Sequence, residues 1–132
     1  MKSFKEFYCE SKIVFSPKEP ISIVDVGDFT AKIDSGNDAF GVLHGDDIKI
    51  NGDQVSFITS DGKQITKSLV DTIKINVGAG VEENRPIVHF DFVLKGRQYK
   101  NQKFSIGNRT DNEEKVLIGL KFLEPLKASI QC

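Results

Sequence analysis

The chain has 132 residues, enough for one domain with one modest core. Its 18 basic and 19 acidic residues leave a formal net charge of −1, which removes the basic surplus expected of a nucleic-acid or anionic-membrane partner. No apolar stretch approaches the roughly 20 residues that span a bilayer, and the start Met1-Lys2-Ser3-Phe4-Lys5-Glu6 has no apolar core of the signal-peptide kind, so a soluble cytoplasmic protein is expected.

In chain order, residues 1–11 mix Phe4, Phe7, Tyr8 and Cys9 with charges and read as a short helix or an N-terminal arm. Cys9 and Cys132 sit near the two ends. A disulfide between them is one reading and reduced thiols the other; a cytosolic setting favours the second. Neither has the Cys-x-x-Cys spacing of a redox or zinc site. Residues 12–15 and 21–24 read as short strands, the first stopped by Ser16-Pro17, and Gly27-Asp28 turns into a strand over 29–33.

An apolar run returns at 39–43, and Ile48 and Ile50 alternate with polar residues up to the hairpin signal Asn51-Gly52. A second such signal, Asp61-Gly62, separates the strands at 55–59 and 64–66. These consecutive strand-and-turn units predict antiparallel sheet. Alternation continues over 70–77 to Gly78-Ala79-Gly80, whose composition suits a hairpin tip. The longest strand pattern runs over 86–94 and is closed by Lys95-Gly96; Val88, Phe90, Phe92 and Leu94 share one face and are assigned to the core. Phe104 and Ile106 suggest a further strand, and a polar loop at 107–114 leads into Val116-Leu117-Ile118-Gly119. Residues 120–130 carry the one helical pattern, despite Pro125.

The stretch Ala31-Lys32-Ile33-Asp34-Ser35-Gly36-Asn37-Asp38-Ala39-Phe40 places a carboxylate, a hydroxyl and a glycine on the turn after a strand. On its own, Asp-Ser-Gly is an ordinary turn sequence, with Asp34 bonded to its own backbone. Here it is followed in order by Leu43-His44, by Glu83-x-Arg85-Pro86, and by Asn108-Arg109-Thr110-Asp111 leading into Val116–Gly119. This ordered set resembles the retropepsin-like aspartic proteases, and within them the subgroup labelled ATP-dependent zinc proteases and associated with ribosomal modification.

The resemblance implies a single all-β domain over 1–132, a retropepsin-like closed barrel with one short C-terminal helix. It further implies a homodimer in which each subunit contributes Asp34 to a catalytic pair that shares one proton. Ser35, Gly36 and Gly119 would support that pair, and Gly78, Ala79, Gly80 and Val81 are the candidates for a flap over a peptide or protein substrate. Asn37, Asp38 and Arg85 are the candidates for substrate contact, and acidic or glutamate-rich peptides are the substrates the subgroup suggests. Two positions depart from the common motif: Ser35 stands where Thr is more frequent, and Asn37 where a small Ala is usual. No His-Glu-x-x-His is present, and His44 and His89 without a third ligand read as a surface and a sheet histidine, so no metal is expected. A phosphate-binding glycine loop is also missing, so no cofactor is expected. The rival reading is a non-catalytic interaction or assembly protein, such as a phage structural component; a phage origin would set the chain in the host cytoplasm or the virion.

Overall fold

The computed structural model describes residues 13–130. The arm expected at 1–11, Cys9 and Cys132 lie outside them. The described residues form twelve strands and one short helix in order: β1 (Val14–Phe15), β2 (Lys18–Ile23), β3 (Gly27–Asp34), β4 (Gly41–His44), β5 (Asp46–Asn51), β6 (Gln54–Ile58), β7 (Gln64–Ser68), β8 (Asp71–Gly78), β9 (Val81–Leu94), β10 (Arg97–Gly107), β11 (Val116–Gly119), α1 (Leu120–Leu123) and β12 (Ser129–Ile130).

Alternation explains the longest element. In β9, Val88, Phe90, Phe92 and Leu94 are all buried, as the period of two requires, while His89 and Asp91 are half-buried on the other face. Both of its ends turn tightly. Ala79-Gly80 joins β8 to β9 and Lys95-Gly96 joins β9 to β10, with positive φ at both residues of each pair, the backbone that two-residue hairpins favour. The aromatic rings of this hairpin meet the helix in the core: Phe92 lies 5.6 Å from Phe104 and 5.5 Å from Phe122, and Tyr99 lies 5.0 Å from Phe122 between ring centroids. Such tilted and edge-on contacts add to the burial of the rings themselves.

The strands make three sheets. The largest has the order β10-β4-β11-β3-β2-β9-β8, with a further pairing of β10 to β9. A three-stranded antiparallel sheet, β5-β6-β7, carries the hairpins expected at Asn51-Gly52 and Asp61-Gly62, and β1 pairs in parallel with β12. The expected closed barrel is therefore corrected. The β9–β10 pairing folds the large sheet back, but β8 continues past it with β9 as its one partner among the described residues, and β5 to β7 form a sheet of their own. An all-β fold with one short C-terminal helix is what the described residues adopt.

The helix is also shorter than the pattern over 120–130 suggests. It stops at Leu123, two residues before Pro125, whose ring and missing N–H oppose a continued helix. Lys127, at φ 52°, then turns the chain so that Ser129 and Ile130 can lie beside Val14 and Phe15.

Candidate active site

Burial alternates along β3: Ala31 and Ile33 point into the core, so Lys32 and Asp34 point out. Asp34, the last residue of the strand, keeps 28% of its side chain exposed, and its Oδ2 lies 3.8 Å from Lys32 Nζ. The following turn closes on it. Gly36 N–H donates to Asp34 Oδ1 at 3.0 Å and Asn37 N–H to the Asp34 carbonyl at 3.2 Å.

This turn is fixed from below by β11, which lies between β3 and β4, parallel to the first and antiparallel to the second. Gly119 pairs with Asp34, and its N–H donates to the Phe40 carbonyl at 2.8 Å. Leu120 N–H donates to Asn37 O at 2.8 Å and Lys121 N–H to Ala39 O at 3.0 Å. A Cβ on Gly119 would overlap the Ala39 carbonyl and come within 2.9 Å of Asn37 O, so the close crossing requires glycine. At Gly36 a Cβ would lie 3.3 Å from Asp34 Oδ1, a tighter fit than usual.

Beyond the turn opens a pocket of about 510 Å³. It brings together three sequence-predicted residues, Asn37, Asp38 and Arg85. Ile73, Ile75 and Ile87 give it apolar walls, and Lys103 and Lys121 add cationic groups. Asp34 itself does not line this pocket. Ser35 lines a different depression, shared with Leu120, Leu123, Glu124 and Lys127, on the side of the C-terminal segment. Gly78, Ala79, Gly80 and Val81 form the exposed tip of the β8–β9 hairpin, and lower residues of β8, not the tip, reach the pocket.

Behind the site lies a buried polar group that joins two of the sequence motifs, His44 of Leu43-His44 and Arg109 of Asn108-Arg109-Thr110-Asp111. His44, only 3% exposed, accepts the Arg109 N–H at Nδ1 over 2.8 Å, while its Nε2 lies 2.9 Å from Asp46 Oδ2. Nδ1 therefore bears no proton, which places the ring's N–H at Nε2 toward the carboxylate. Thus His44 is a buried junction between strands and not a surface histidine. Arg109 Nε donates to the Glu114 carbonyl, and Lys115 Nζ bonds the carbonyls of Arg109, Thr110 and Asn112, tying the loop before β11. Burial pushes the Arg109 guanidinium below its ordinary value; Glu114 and Asp34 oppose that shift, and Arg85 reinforces it. Arg85 crosses the backbone at Gly107, where a Cβ would lie 2.6 Å from its Nε, and reaches Glu83 at 3.3 Å. Among the described residues, no group of three or more His, Cys, Asp or Glu is arranged to hold a metal ion. Nor is any helix among them long and apolar enough to cross a membrane.

No family model matches the chain, and no curated protein does. A solved structure that is similar in fold is the crystal structure of a protein from Legionella pneumophila subsp. pneumophila str. Philadelphia 1, described as of unknown function (DUF785). The two share 19% identity and superpose with a TM-score of 0.72, over 90% of this chain and 92% of the other. That likeness concerns the path of the chain alone.

Proposed function

We propose that the protein is an aspartic-type endopeptidase that works as a homodimer, with Asp34 of each copy forming the catalytic pair. The observation that carries this reading is the Asp34-Ser35-Gly36 turn at the end of β3, held from below by Gly119. Four motifs in the order of the retropepsin-like proteases lend it support, as does an apolar-walled pocket beside the turn. The reading sets the reaction in the cytoplasm.

Amide hydrolysis by water needs one group to accept a proton and another to donate one. A single Asp34 can perform one of these tasks at a time. Two Asp34 carboxyls facing each other across a two-fold axis resist ionising together, so one stays protonated to donate while the other takes the proton of water. Gly36 N–H, already directed at Oδ1, would hold each carboxylate in place. The hairpin tip at residues 78–81 would cover the bound peptide.

The test is cleavage of a peptide library by the native chain and by Asp34→Asn from mildly acidic to neutral pH, with the oligomeric state followed in parallel. Cleavage that falls by at least about a hundredfold in the variant, while both forms remain dimers, is the expected result. Dimers that cleave no peptide, or cleavage that survives Asp34→Asn, would overturn the reading, and inactive dimers would turn attention to an assembly role.

A further inference from the structure

The chemistry assigned to Asp34 leaves the buried His44 unused, although two of the sequence motifs meet on it. The backbone fixes this residue: His44 N–H donates to the Lys115 carbonyl at 2.9 Å, and Gly45 N–H donates to the Gly107 carbonyl at 3.0 Å. A Cβ on Gly45 would overlap the Ile106 side chain, so the corner between β4 and β5 is tightly packed. The imidazole then spans two partners. Nε2 faces the half-exposed Asp46 carboxylate, and Nδ1 accepts the N–H of Arg109.

Residues 108–115 hang on that second bond as a unit. Thr110 N–H donates to Asn108 Oδ1 at 2.8 Å, Asn112 N–H to the Arg109 carbonyl at 3.0 Å, and Lys115 Nζ gathers the carbonyls of Arg109, Thr110 and Asn112. The loop is exposed from Thr110 to Glu113, and on its outer side Lys18 pairs with Glu113 and Glu114 at 3.4 and 3.3 Å. Charge reaches the ring from two sides. Asp46 stands on the β5 side, and Arg109, Glu114 and Lys115 on the loop side; the residues that pair with β4, Phe104 to Gly107 of β10 and Val116 to Ile118 of β11, do not titrate. The Arg109 guanidinium in turn lies within electrostatic reach of Asp34 and Arg85.

A neutral ring can hold both partners, but an imidazolium cannot. With a proton on each nitrogen it turns a donor toward the Arg109 N–H, and two donors facing each other leave both without an acceptor. The Asp46 carboxylate favours the charged ring, so the ring stays with Asp46 and the loop gives way. We propose that His44 is a proton-operated latch: neutral, it holds residues 108–115 and the Arg109 guanidinium in place behind the Asp34 site, and charged, it releases them. Its effect on cleavage rests on the peptidase reading, whereas the motion of the loop does not.

The native chain is titrated from about pH 8 to about pH 5, the interval in which histidine changes charge, with the His44 ring nitrogens and the amides of residues 108–115 followed by NMR. Protonation of Nδ1 should coincide with a fall of about threefold to tenfold in the exchange protection of the Arg109 amide. The loop amides should shift together, while those of β7 stay in place. In His44→Asn, Oδ1 can accept the Arg109 N–H in place of Nδ1 and takes up no proton, so the loop should stay closed throughout. Should that variant not fold, Asp46→Asn gives the second reading: it removes the carboxylate that favours the charged ring, and release should then need a lower pH. The latch is overturned by an Nδ1 that stays unprotonated until the whole chain unfolds, by an Arg109 amide that stays protected while His44 charges, or by a loop that opens alike in the native chain and His44→Asn. Release at an unchanged pH in Asp46→Asn would count against it equally. Where peptides are cleaved, the loss of rate toward acid should be smaller in His44→Asn than in the native chain. Because the loop is read directly, a latch that opens in a chain that never cuts peptides would keep this proposal and discard the peptidase.

Discussion

The two sides of the candidate site are built in opposite ways. Around Asp34, β3, β11 and β4 lie side by side, with all four residues of β11 and of β4 buried and the Asp34 turn bonded to the start of α1. Facing them, β8 has one neighbour among the described residues, and its hairpin ends in the exposed residues 78–81. The wall is held by packing that tolerates little change, whereas the hairpin tip depends on local turn chemistry alone. The proposed peptidase, which would have to keep one carboxylate in register and still admit a chain, would draw on both kinds of construction.

The comparison is broken most severely from the wall. Ile118, 1% exposed, packs in the centre of β11, and Ile118→Ala should cost about 2–5 kcal/mol in urea unfolding through the cavity it leaves. Gly119→Ala comes next: its methyl group would collide with the Ala39 carbonyl, costing about 1–3 kcal/mol and displacing the turn that holds Asp34. Amide shifts at residues 34–40 should move more in Gly119→Ala than in Ile118→Ala, since the first strikes that turn directly. At the other extreme, Val81 is 55% exposed, so Val81→Ser should alter stability by no more than about 0.5 kcal/mol. If the tip covers substrate, that variant raises KM for peptide cleavage while its unfolding curve overlays that of the native chain. Comparable losses of stability at Ile118 and Val81 would remove the contrast.

How much of this can be read along the chain depends on how far the determining contacts reach. The core face of β9 is visible because alternation is a local property, and so are the turns at Asn51-Gly52 and Lys95-Gly96. Val116 to Gly119 is legible as a buried strand from its unbroken apolar run, and its glycine as the residue beneath the Asp34 turn from the resemblance of the motif. The closed barrel fails because neither the single partner that β8 has among the described residues nor the separate sheet of β5 to β7 is written in any strand's own pattern; strand neighbours are chosen by tertiary packing. The helical spacing over 120–130 misleads for the same reason, since Pro125 and the pairing of Ser129 and Ile130 with β1 prevail over it.

The site divides along the same line. Asp34, Ser35, Gly36 and Gly119 belong to short motifs, and Asn37, Asp38 and Arg85 prove to share a pocket. His44 and Arg109 meet across 65 residues of sequence, and Lys103 and Lys121 reach Phe40 from two separate elements. Their local sequence does not say which partner each will meet. A buried histidine after three apolar residues in β4 is the one hint, because a polar group at the end of such a run needs a partner.

The parallel pair of β1 and β12 has a mechanical consequence. Force applied at Ile13 and Ile130 would pull Val14–Phe15 and Ser129–Ile130 in opposite directions along their common axis. Their hydrogen bonds would then be loaded together, in shear, instead of parting one after another. Stretched between Ile13 and Ile130, the described residues meet this clasp first, and the large sheet that carries Asp34 stays unloaded until the clasp gives way.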